Sequence, residues 1–147
     1  MYWSAEGVIE RAVLDGSNRN IIAKLGLTIY GDSIDAKGLT LDVAMNRLYF
    51  VSFHEYSLLY IDLDSANYTV QTLIRNFWYF YFPFGIAVDD EYVYWTEHVA
   101  YGYVFRSNKT ANDAEVVPVL RGTYDPRGIA VKKGKFSRDS KCLLFKY

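Results

Sequence analysis

The stretch "PFGIAVDDEYVYWTE", residues 83–97, contains two phrases, each of which the chain uses three times. "GIAVD" at 85–89 has counterparts in "GLTLD" at 38–42 and "GIAVK" at 128–132. "YWTE" at 94–97 has counterparts in "YWSA" at 2–5 and "YFVS" at 49–52. The first phrase advances by 47 and then 43 residues, the second by 47 and then 45, so two independent signals keep one period. A period of about 40–50 residues belongs to stacked supersecondary units such as propeller blades.

Each period reads as four short strands. In the second unit they fall at 38–43, 47–53, 58–64 and 68–75, broken at "AMN", "HEYS" and "SAN" by turn-forming residues. The third unit repeats them at 84–89, 92–97, 103–107 and 114–121. The first supplies only three, at 1–5, 8–15 and 19–25, and a fourth offers "GIAVK" alone. The expected organisation is therefore a repeat region over 1–132. It comprises a partial blade 1–25, a blade 38–75, a blade 84–121 and a lone strand 128–132, with a tail 133–147 outside the repeat.

The strands also say how they are covered. "LYFVSF" at 48–53 and "YVYWTE" at 92–97 are apolar or aromatic at successive positions. Neighbouring strand residues point to opposite faces, so both faces must be buried. Parallel α/β sheets bury both with helices, and no helical periodicity exists here to supply them. A blade between two blades meets the requirement; a β-sandwich would leave one face of each strand wet. The fold class is all-β.

Composition narrows the function. Sixteen basic residues against seventeen acidic ones create no field for nucleic acid or an anionic membrane surface. A single cysteine, Cys142, cannot form an internal disulfide or a cysteine-rich metal site, and an unpaired thiol is the default for it. Fourteen Tyr, nine Phe and three Trp point to packing or binding through large rings. Seven rings crowd into 77–84, within "NFWYFYFPFG", yet Arg75 and Asn76 precede them and Asp89, Asp90 and Glu91 follow. That run falls short of the roughly 20 apolar residues that span a bilayer.

"MYWS" followed by "VIERAVLDGSNRNII", together with "GLTLD", "LYFVS" and "PFGIAVDDEYVYWTE", resembles the YWTD (class B) repeats of the low-density-lipoprotein-receptor family over residues 1–132. The resemblance implies a partial six-bladed YWTD-type β-propeller of about three blades' worth. It implies a non-catalytic protein-binding module in the extracellular part of an endocytic or signalling receptor. The alternative is an extracellular-matrix glycoprotein that uses the propeller as a docking platform. The aspartate ending the family motif is replaced by Ala5, Ser52 and Glu97, and the Leu14-Asp15-Gly16 turn decays to Leu63-Asp64-Ser65 in the next unit, so ligand assignments do not carry over. Because the family ring needs six blades, the chain is expected to be a section of a longer membrane-anchored protein. Two copies closing one ring, with strand 128–132 completing the partner's first unit, is the lesser alternative.

In an antiparallel meander, connections from strand 4 to the next strand 1 share a face with those from strand 2 to strand 3. Trp78, Tyr79, Phe80, Tyr81 and Phe82 therefore gather with Arg127 and with His54, Glu55, His98 and Tyr101, and these are the candidate partner-binding residues. Trp, Tyr and Arg are the residue types that dominate binding hot spots. The competing role for the rings is packing between blades and at the channel mouth. Asn67-Tyr68-Thr69 and Asn108-Lys109-Thr110 fit the N-glycosylation pattern at equivalent turns on the other face. No cofactor, metal site or catalytic residue is expected: the strand 1 starts read "AKG", "PFG" and "PRG", without the converging oxygens a hard cation needs. Asp42 and Asp89 read as turn caps. The histidines have no identifiable carboxylate partner in the sequence, so a pH switch is not the favoured reading.

Overall fold

The computed structural model describes residues 1–27, 31, 34–75, 82–110, 115–132 and 141–145. Three antiparallel meanders follow one another in chain order. The first is three-stranded: β1 (Tyr2–Ala5), β2 (Val8–Arg11) and β3 (Asn20–Lys24). The second contains β4 (Ala36–Asp42), β5 (Arg47–Ser52), β6 (Ser57–Asp62) and β7 (Val70–Arg75). The third contains β8 (Pro83–Val88), β9 (Tyr92–Glu97), β10 (Gly102–Asn108) and β11 (Val117–Thr123). No helix among the described residues is long and apolar enough to cross a membrane.

These meanders are blades of a β-propeller, stacked so that β5 and β9 are buried on both sides. In β5, Leu48 and Phe50 face the first blade and pack with Ile9, Ile22, Leu59 and Ile61. The alternate residues Tyr49 and Val51 face the third blade and pack with Leu58, Ile86, Val93 and Trp95. Tyr49, Phe50, Val51 and Trp95 are fully buried. Successive-residue hydrophobicity thus arises from one strand serving two interfaces.

The recurring glycines set how closely the blades approach. A Cβ on Gly38 would lie 2.4 Å from the Phe84 carbonyl oxygen, and one on Gly85 would lie 2.3 Å from that of Arg127. The innermost strand of each blade therefore touches the backbone of the next, which any side chain would prevent. The outer ladders share a second device. The pairing shifts register between Ile9 and Glu10, between Leu58 and Leu59, and between Val104 and Phe105, the same step in three blades. Such irregularities increase the local twist of the outer strands.

One expectation needs correction. The strand β12 (Gly128–Lys132) is not alone, because β13 (Lys141–Phe145) from the tail pairs with it, Gly128 opposite Phe145 and Ala130 opposite Leu143. In this register β13 stands beside β12 as β9 stands beside β8. Four apolar residues, 142–145, between Lys141 and Lys146 looked like a tail outside the repeat, but the open ladder of β12 recruits them. The edge that ring closure by a second copy would have used is thereby occupied.

Candidate functional site

The site is built around the backbone of Phe82, the last ring before β8. Its N–H donates to Glu97 Oε2 at 3.0 Å, and its carbonyl oxygen accepts from the His98 N–H at 2.8 Å. Glu97, buried at the end of β9, stands where the YWTD pattern has its aspartate, and its longer side chain reaches across to hold Phe82. Phe82 stacks on Phe53, with ring centroids 5.0 Å apart and planes at 26°. The exposed His54 ring meets Phe53 edge-on at 5.4 Å. Glu55 N–H caps onto Ser52 Oγ, and its carboxylate reaches Arg75 at 3.4 Å.

A second group adjoins it. Asp125 lies between the His98 imidazole and the Arg127 guanidinium: its carboxylate faces His98 Nδ1 and accepts from Arg127 Nε at 3.3 Å. Asp125 adopts a left-handed backbone (φ 47°), a conformation Asp tolerates, and this turns its side chain toward His98. Phe84 packs against both partners, 5.6 Å from the His98 ring and 6.0 Å below the Arg127 guanidinium. Gly102 pairs with Thr123 at the end of the β10–β11 ladder, which sets Tyr101 and Tyr124 at its mouth. These two rings are 79% and 69% exposed, and no packing role of the fold explains them.

The structure thus brings Phe82, His54, Glu55, His98, Tyr101 and Arg127 to one face. Trp78, Tyr79, Phe80 and Tyr81 lie outside the described residues. Four contributors were not among the candidate residues: Phe53, Phe84, Tyr124 and Asp125, although the last two lie in the connection 122–127 expected on this face. The first two read as strand residues. The only signal for the last two was "YDPR" at 124–127, whose Asp-Pro step marks a turn. Asp125 also supplies the carboxylate that His98 lacked in the sequence.

The opposite face is organised by the other turns. Asn67 is exposed in the β6–β7 turn. Asn108 Oδ1 accepts from the Thr110 N–H at 2.8 Å and from Thr110 Oγ1 at 2.9 Å. Asp42 Oδ1 caps the N–H groups of Ala44 and Met45, and Asp89 Oδ1 those of Glu91 and Tyr92, as expected of turn-forming aspartates.

No protein-family model matches the sequence. A chain in the crystal structure of a nidogen/laminin complex is similar in structure, with a TM-score of 0.73 and 20% identity. The match covers 89% of this chain and 48% of that one, so this chain spans about half the length of the solved chain. The likeness is one of fold: consecutive blades of a β-propeller.

Proposed function

We propose that this chain is a non-catalytic protein-binding section of an extracellular β-propeller, carried by a lipoprotein-receptor-like endocytic or signalling receptor. The observation that carries the proposal is the exposure of Tyr101 and Tyr124, which flank the paired Gly102 and Thr123, on the face to which Phe82 is tethered and where Arg127 lies over Phe84. Exposed rings beside an arginine, held by a rigid strand scaffold, are the chemistry of a protein-contact hot spot. The sequons at Asn67 and Asn108 lie on the far side, where attached sugar would leave the aromatic face open.

A second reading places the same module in a matrix glycoprotein. It is favoured by the similarity to a chain from a nidogen/laminin complex, an assembly of two proteins.

A photo-crosslinking phenylalanine analogue at Tyr124 tests the reading against cell-surface and matrix fractions. The expected result is a protein adduct, identified by mass spectrometry, that Arg127→Glu abolishes. The same analogue at Leu14, which is 85% exposed on the other face, should yield none. A membrane-anchored or matrix adduct separates the two settings. Equal labelling from both positions, or none from Tyr124, overturns the proposal.

A further inference from the structure

Between the first and second blades, beside the aromatic face, the outer strands leave a cleft of about 240 Å³. Its floor is aliphatic, formed by Leu25, Leu59 and Val70. Its rim carries Lys24, Arg75 and Glu55. Glu55 is already engaged by Arg75, whose side chain nonetheless remains 59% exposed. Lys24 is exposed at the end of β3, and its ammonium group makes no hydrogen bond or ion pair among the described residues. Among the described residues, the cleft therefore presents one positive charge without a partner, and part of a second, above a greasy floor.

That combination specifies an occupant. The volume is below the roughly 300–1,000 Å³ of small-molecule sites, and suits one or two side chains. A carboxylate reaching Lys24 and the open edge of Arg75 would form charge-assisted hydrogen bonds, and aliphatic neighbours would cover the floor. Glu55 directly follows His54 and Phe53, so this part of the rim adjoins the rings around Phe82.

We infer that the cleft anchors an acidic side chain, flanked by aliphatic residues, from an extended segment of the protein partner. This rests on the protein-binding reading and adds the partner's chemistry to it.

The probe is the acetylated, amidated tripeptide Leu-Glu-Leu, titrated into the ¹⁵N-labelled full chain with Leu-Gln-Leu as control. The expected result is saturable amide shifts confined to Lys24, Leu25, Thr72 and Arg75, with the amide peptide weaker by about tenfold for the lost charge-assisted contact. Lys24→Gln should weaken the acidic peptide similarly, and Thr72→Trp, which fills the cleft from its exposed side, should abolish the shifts. Equal binding of the two peptides, shifts centred elsewhere, or no saturable shift overturns the cleft assignment. A partner captured at Tyr124 that is indifferent to Lys24→Gln would sink the cleft and leave the protein-binding reading standing. A saturating cleft without a Tyr124 adduct would do the reverse.

Discussion

Lys109, from the third blade, buries its ammonium group against the Asp42 carboxylate of the second and donates to the Asp89 carbonyl oxygen at 2.7 Å. The two side chains are 2% and 4% exposed. Asp42 uses its other oxygen to cap the β4–β5 turn, so a single carboxylate closes a turn within its blade and clasps the next. Such a pair adds little net stability over an apolar isostere, but removing one partner strands a buried charge.

Lys109→Met is therefore expected to destabilise the chain by about 3–5 kcal/mol in urea unfolding. Adding Asp42→Asn keeps the turn cap and removes the stranded charge, so the double variant should recover a substantial part of the loss. Additive losses would show that the two groups do not act as a pair. Lys109→Met also preserves the Asn108-X-Thr110 acceptor pattern, so it leaves any glycan question untouched.

The inner glycines make a graded comparison. Gly38→Ala and Gly85→Ala drive a methyl group into the backbone of the neighbouring blade, and each is expected to cost about 3 kcal/mol. Gly16→Ala meets nothing within 4 Å and incurs only the left-handed backbone penalty at φ +85°, about 1 kcal/mol. Thermal unfolding of the three variants ranks them, and an equal ranking would remove blade contact as the reason for the recurring glycine.

Thr96 joins the third blade to β12: its Oγ1 accepts from the Gly85 N–H at 2.9 Å and meets the Arg127 carbonyl oxygen at 3.3 Å. Ser4, at the same place in the first blade, donates to the Ala36 carbonyl oxygen at 2.8 Å. Thr96→Val keeps the shape and removes both contacts, so a loss of about 1–3 kcal/mol is expected. Hydrogen exchange should show the Gly85 amide opening faster; an unchanged rate would mean that this hydroxyl does not hold the strand.

Burial, reinforced by the Asp89 carboxylate that accepts its O–H, pushes the Tyr94 phenol up to about 12. The folded state then holds a proton that the unfolded chain releases near pH 10. The resulting stabilisation is fully present below pH 10 and is lost as pH rises toward 12. In urea unfolding over this range, Tyr94→Phe should show a shallower decline than the parent chain. Parallel declines would remove Tyr94 as their source.

Strand type, blade order and two-sided burial could all be read along the chain, because each is written in local periodicity. Positions 48–51 alternate between two neighbouring blades, which gives Leu-Tyr-Phe-Val apolar cover in four consecutive places. The turn caps of Asp42 and Asp89 were legible for the same reason, each reaching only two or three residues. What lay beyond reach depended on how blades meet. Lys109 read as the middle of a polar tripeptide, yet its partner lies 67 residues away. Asp125 finds His98 across a connection between blades, and "KCLLF" becomes a strand only because β12 offers it an open ladder. Sequence spacing records what a residue does to its own strand. The rotation and depth with which one blade docks on the next emerge only from the packed whole, and they select which distant side chains touch.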